Sequence, residues 1–228
     1  MSKLYIATDQ HKKQDMEKII QTFVFDTMGT TVPDESILGL RERLWQVGER
    51  YTSKEELEKL KALSQNEAHS EEFRKYLKKA GPLMTRVLRE GLYAVSFFPD
   101  VKPTFEAINE SGFYSRILSK GTPDLIIEAY KQGSLDTLIR GVNSSTTDLS
   151  IADKTNPGCY LALQEEVMLP SGESFAAYTS DDSRETNACR QAFPAAKTDV
   201  FYIDRGQERK EELIKGIRLI KDLREILT

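Results

Sequence analysis

Cysteine and histidine are scarce in this chain, with two of each in 228 residues. Cys159 and Cys189 fall on separate predicted helices, without the close spacing of a zinc site. That excludes a disulfide framework and reads both thiols as reduced packing residues. His11 and His69 lie outside every motif and read as exposed helix or cap residues. No apolar run approaches the roughly 18 residues needed to span a bilayer. The start, Met1-Ser2-Lys3-Leu4-Tyr5, lacks the apolar stretch of a secretory signal. There is no lysine-arginine tail, and the net charge of -4 leaves no electrostatic footprint for nucleic acid. Internal repeats and low-complexity segments are also missing. The expectation is a cytoplasmic protein whose partners are neither nucleic acid nor membrane.

What is present is ordinary globular composition, 39% hydrophobic and 30% charged, in a chain long enough to bury a sizeable core. Leu4–Thr8 reads as a short strand and Asp9–Gln21 as a helix. Phe23-Val24-Phe25-Asp26 then forms an apolar strand that delivers a carboxylate to the turn Gly29-Thr30-Thr31. From Asp34 the pattern turns helical and heavily charged. Helices are predicted over 35–50, from a cap at Thr52 or Ser53, from Ser70 to Gly81, and again from Pro82. At Phe98-Pro99-Asp100 strands return, alternating with helices: a helix over 101–111, a strand over 114–119, and a helix over 123–132. A strand over 138–142 and a loop over 143–148 follow. Beyond them come a helix from Pro157 to Val167, strands over 175–179 and 200–203 flanking a helix over 184–192, and a long closing helix over 208–227. Such alternation calls for a parallel sheet covered by helices on both faces.

Three of these strand ends carry polar residues: Asp26, Ser119, and Asp181 with Asp182 and Glu185 close behind. Open α/β sheets place their chemistry beyond the carboxyl ends of the strands. Carboxylates converging there repel one another, and a hard divalent cation relieves this; magnesium typically takes one or two carboxylates plus phosphate oxygens. Lys154 and the Ser119 hydroxyl are suited to hold a phosphoryl group, and Asp26 to attack phosphorus as a carboxylate nucleophile. Each residue also has a plain structural role open to it. Asp26 and Asp181 suit turns, Ser119 a strand end, Lys154 a solvated loop, Asp182 a helix cap, and Glu185 the surface. Trp45 reads as packing among the inserted helices.

The segments, in this order, resemble the haloacid dehalogenase superfamily, a group composed mostly of phosphohydrolases. Its first motif, an apolar strand followed by Asp-x-Asp-Gly-Thr, is matched by Phe25-Asp26-Thr27-Met28-Gly29-Thr30. Its second, a strand ending in Ser or Thr, is matched by Ile117-Leu118-Ser119-Lys120-Gly121. The third, a lysine followed by proline and tyrosine, is matched by Lys154, Pro157 and Tyr160. The fourth, Gly-Asp or Ser-Asp with a later acid, is matched by Ser180-Asp181 and Glu185. The resemblance implies a Rossmann-like α/β core, residues 1–33 and 98–228, with a small all-helical cap inserted at 34–97. It also implies a magnesium-dependent hydrolase acting on a small phosphorylated metabolite. Asp26, Ser119 and Lys154 would be catalytic, and Ser119, Lys120, Gly121 and Lys154 would hold the substrate. Asp26, the Met28 carbonyl, Asp181 and Glu185 would hold Mg2+.

The chain departs from that pattern at Met28. Phosphatases of the family carry there the acid that protonates the leaving group, and a thioether transfers no protons. Branches that depart at the same position include phosphonate hydrolases, which also need a cap lysine for a Schiff base, and haloacid dehalogenases. Candidate cap lysines are Lys54, Lys59, Lys61, Lys75, Lys78 and Lys79. A catalytically impaired ligand-binding descendant is a further alternative.

Overall fold

The computed structural model describes residues 19–66, 70–144, 153–194, 197–206 and 211–228. The strand expected at 4–8, nearly all of the helix expected at 9–21, both histidines and most of the loop at 143–148 lie outside them. The core is a six-stranded, wholly parallel sheet. Its strands are β1 (Ile20–Phe25), β2 (Tyr114–Ser119), β3 (Gly141–Ser144), β4 (Glu173–Ser180), β5 (Asp199–Ile203) and β6 (Ile217–Ile220), in the spatial order β3-β2-β1-β4-β5-β6. This is the α/β, Rossmann-like class that the alternation of elements predicts.

Successive side chains of a strand point to opposite faces, and a sheet covered on both faces must be apolar on both. Phe25, Ile117 and Phe201 pack on one face with helices α4 (Val101–Glu110) and α5 (Pro123–Gln132). Val24, Leu118, Tyr178 and Val200 pack on the other with α6 (Pro157–Ala162) and α7 (Ser183–Ala192). Inside the sheet one buried ion pair ties β2 to β4 across β1. Arg116 donates to both oxygens of Glu173, at 3.1 and 2.6 Å, and Thr22 donates to the same carboxylate at 3.1 Å.

Between β1 and α4 stand three helices: α1 (Asp34–Val47), α2 (Lys54–Leu63) and α3 (Glu71–Arg89). Ser53 caps α2 by accepting from the Glu56 amide, and Ser70 caps α3 by accepting from Phe73. Leu40, Leu44, Leu60, Tyr76, Met84 and Val87 form a separate apolar cluster that reaches Leu125 and Ala129 of α5.

Three expectations need correction. The break predicted at Pro82 does not occur, and α3 runs through it. Gly81, which has no side chain to clash with the proline ring, precedes it, and the buried face continues from Tyr76 and Ala80 to Met84 and Val87. The closing helix predicted at 208–227 is also absent from the described residues. The chain there forms β6 and a short 3-10 stretch, Leu223–Leu227. Gly216, at φ +91°, precedes the strand, and pairing with β5 satisfies backbone groups that an uncovered sheet edge would leave open. The strand predicted at 138–142 lies further along at 141–144, after a 3-10 turn at Asp136–Leu138. Among the described residues no helix is long and apolar enough to cross a membrane.

Candidate active site

The strand order reverses between β1 and β4, and at such a switch point the loops leaving the strands diverge and open a crevice. Asp26 immediately follows β1, Ser119 ends β2, and Asp181 immediately follows β4. Lys154 comes from the segment before α6, and Glu185 from the first turn of α7. All five line one cavity of about 200 Å³.

Lys154 is the centre of the charge pattern. Its side chain is 1% exposed, and its ammonium sits between the Asp26 carboxylate and Glu185 Oε2, the latter at 2.7 Å. The two carboxylates hold the ammonium above its ordinary range against a burial that works the other way. The Lys-x-x-Pro-x-x-Tyr spacing has a local cause. Asn156 caps α6 with Pro157 in its first turn. The Tyr160 hydroxyl lies 2.8 Å from the Lys154 carbonyl and 2.9 Å from that of Glu185, so it fixes both backbones.

Glu185, expected among the metal ligands, faces two lysines. Lys154 and Lys120 engage its two oxygens, at 2.7 and 3.0 Å, and Tyr178 and Ser180 donate to Oε2. Burial pushes this carboxyl up, yet the two ammonium groups hold it far below the usual range. Lys120, expected to bind substrate, is held at the cavity wall by this pair. Asp182 is the N-cap of α7, accepts from the Arg184 amide at 2.9 Å and pairs with the Arg184 side chain. Ser119 Oγ accepts from the Gly121 amide at 3.1 Å, which fixes the turn where both face the cavity.

Asp181 has a different environment. The Thr30 hydroxyl donates to Asp181 Oδ1 at 3.0 Å and accepts from the Asp181 amide at 3.0 Å. Gly29 stands at φ +73° with its α-carbon so close to this carboxylate that a side chain would collide with it. Among the described residues no cation pairs with Asp181. Burial, then the charge of Asp26, pushes it up to about 8. Asp26 is pushed up to about 6 by burial, with Lys154 pulling down and Glu185 pushing up.

These donors suit magnesium in type and number. Asp26 and Asp181 supply hard oxygens from two carboxylates, and the Met28 carbonyl belongs to the same turn. Among the described residues no three His, Cys, Asp or Glu side chains converge as a ready-made metal cluster. The remaining ligands would therefore come from backbone, substrate and water, as magnesium commonly arranges.

Met28 is 45% exposed and also lines the cavity. The inserted helices close the cavity with Ile37, Leu40, Arg41, Phe73 and Tyr76. None of the candidate cap lysines is among the described residues lining it. Lys59, Lys61, Lys75 and Lys79 form ion pairs with Glu55, Glu58, Glu71 and Glu56 on the outside. Trp45 packs against Tyr76 with ring centres 6.3 Å apart. Sequence reasoning missed Thr30, although it stands in the highlighted turn. It also missed Arg41 and Tyr76, which no local pattern marks.

Neither a family model nor a curated protein sequence matches the chain. Solved structures do. CbbY from Rhodobacter sphaeroides, in complex with phosphate, aligns with a TM-score of 0.59 at 15% identity over 91% of this chain and 96% of that one. YfnB from Bacillus subtilis, described as a HAD-hydrolase bound to magnesium, aligns at 0.58 and 14%, over 92% and 97%. L-2-haloacid dehalogenase from Xanthobacter autotrophicus, with chloropropionic acid covalently bound, aligns at 0.53 and 13%, over 91% and 97%. At such identities the likeness extends to the fold. The chain has the haloacid dehalogenase-like α/β fold.

Proposed function

We propose that the protein is a magnesium-dependent hydrolase of the haloacid dehalogenase superfamily that removes a phosphoryl group from a small metabolite. One observation carries the reading: Asp181, half-buried beside Asp26 and, among the described residues, paired with no cation. At the catalytic end of the cavity Asp26, Asp181 and Glu185 face Lys120 and Lys154; of the other charged lining residues, Asp182 pairs with Arg184, and Asp34 and Arg41 belong to α1. A phosphoryl group adds further negative charge, so the site is short of a divalent cation and has two carboxylates ready for it. Bound magnesium would neutralise the phosphoryl oxygens and polarise phosphorus. Lys154 holds one oxygen of Asp26 and leaves the other to attack phosphorus. The bond to the leaving oxygen breaks and a phosphoaspartate forms. Water then attacks that phosphorus, releases phosphate and restores the Asp26 carboxylate. Ser119 and the Gly121 turn bind the phosphoryl oxygens, with Lys154 and Lys120 offsetting their charge.

Met28 leaves the departing oxygen without a protein acid, so the leaving group takes its proton from water. That step limits turnover. The phosphate-release assay on a panel of small phosphate esters, with and without magnesium, tests the reading. Asp26→Asn abolishes activity, and Met28→Asp raises it by about 10²–10⁴-fold. Phosphate release that survives Asp26→Asn would sink the covalent mechanism.

Carbon–halogen cleavage is a second reading, favoured by Met28 itself, because a halide departs without a proton. The dehalogenase of the same fold carries its substrate covalently bound. Chloride release from a small 2-haloacid, unchanged by magnesium, would favour it over phosphoryl transfer.

A further inference from the structure

The cavity has a second pole, 15 residues and more from Asp26 in sequence, that the chemistry at Asp26 does not use. Arg41 of α1 and Tyr76 of α3 line its roof. The Arg41 guanidinium lies 5.4 Å from the centre of the Tyr76 ring and 5.9 Å from that of Phe73. Those two rings define where the charge sits without neutralising it. Among the described residues no acid pairs with Arg41, and its buried Nε has no hydrogen-bond partner. The Tyr76 hydroxyl is in the same condition: the side chain is 1% exposed, and the oxygen, although beside Arg41, has no hydrogen bond of proper geometry. Burial raises this phenol above its ordinary value while the neighbouring guanidinium pulls the other way.

A buried donor left without a partner costs about 1–3 kcal/mol, so folded proteins rarely keep two side by side. Ile37, Leu77 and Met84 line the cavity with the pair, and apolar neighbours strengthen an ionic contact made there. A ligand group that satisfies both must be an anion accepting several hydrogen bonds. Its charge follows from the donors. One guanidinium and one hydroxyl match the single charge and planar fork of a carboxylate. A phosphoryl group, with twice the charge, finds its complement at the other pole, where two lysines stand.

We infer that Arg41 and Tyr76 form a carboxylate-binding subsite, which makes the substrate a small carboxylic acid bearing a phosphoryl group. For the phosphoryl end this rests on the function proposed above. Arg41 and Tyr76 select the substrate and take no part in the chemistry.

Trp45 is the chain's one tryptophan and packs on Tyr76, so its fluorescence reports binding at this pole. The titration uses three unreactive probes with the full chain in magnesium: 3-phosphonopropanoate, propylphosphonate and propanoate. Wild type binds 3-phosphonopropanoate more tightly than propylphosphonate by about 10–100-fold, the range of a hydrogen-bonded charge. Arg41→Gln erases that preference, Tyr76→Phe narrows it, and both leave the affinity for propylphosphonate unchanged. Equal affinities in wild type, or a preference that survives Arg41→Gln, overturn the subsite. If propylphosphonate does not bind but propanoate does, and Arg41→Gln abolishes it, the phosphoryl reading fails while the carboxylate subsite stands. If no probe binds, both fall.

Discussion

Removing the charge of Asp181 should make the metal-free protein more stable. In the fold its carboxyl titrates near 8, against an ordinary value of 3.8. An acid whose value is raised by folding contributes stability in full below 3.8. That contribution is lost as the pH rises through about 8, because the unfolded chain ionises freely and the folded one does not. At 1.36 kcal/mol per pH unit, the ionised form is disfavoured by about 6 kcal/mol at most. Water in the cavity screens the charge, which leaves roughly 2 kcal/mol to be measured. Asp181→Asn keeps an oxygen to accept from Thr30 and removes only the ionisation. Thermal unfolding followed by circular dichroism in chelator would then show equal melting temperatures below pH 4. Above pH 8 the variant would melt about 4–8 °C higher, since a chain of this size gains about 2–4 °C per kcal/mol. Excess magnesium should reverse the order, because binding to the folded state alone stabilises wild type and finds half its carboxylates missing in the variant. A variant no more stable than wild type above pH 8, or one stabilised equally by magnesium, would refute the reasoning.

Other perturbations separate the roles of neighbouring groups. Glu185→Gln leaves Lys120 and Lys154 facing one another with less compensation, and should cost about 3–5 kcal/mol in denaturant unfolding. Because Glu185 is depressed in the fold, its stabilisation is full above its ordinary value of 4.5 and disappears as the pH falls below it, so the variant's deficit should shrink in acid. Gly29→Ala forces a side chain into φ +73° and against Asp181; it should cost about 1–2 kcal/mol and abolish the stabilisation by magnesium. Pro82→Ala restores an amide donor inside α3 and should raise the melting temperature, by roughly 1–3 kcal/mol of stability, without changing any rate.

The sheet was legible in the sequence because its strands are short apolar runs bounded by turns: β2 and α5 fall at the residues their patterns predict. The closing segment was not. Ile214, Ile217, Ile220 and Leu223 recur at helical spacing, and only the open edge of β5 makes Ile217–Ile220 a strand. Pro82 misled for a similar reason. A local breaker signal lost to a buried face that continues on both sides of it. At the site, spacing identified the strand ends that carry Asp26, Ser119 and Asp181. It did not reveal that Glu185 faces lysines, since the partner of a buried acid depends on where α6 and α7 pack. Arg41 and Tyr76 are separated by an entire helix, α2, and meet only in three dimensions.

The two crossings between the sheet and the inserted helices lie side by side. The Phe98 amide donates to the Thr31 carbonyl at 3.1 Å, and Arg205 reaches both the Thr30 carbonyl and Asp100. Residues 34–97 therefore begin and end at nearly one point, stitched shut by bonds belonging to the sheet side. In polymer terms they are a closed loop that happens to be folded, and its length adds only logarithmically to the entropy of closure. Such a segment can be lengthened or redecorated away from its contact with Leu125 and Ala129 of α5 at little cost to the register of the strands. A new roof would change what lines the cavity while Asp26 and Asp181 stayed where the strands put them.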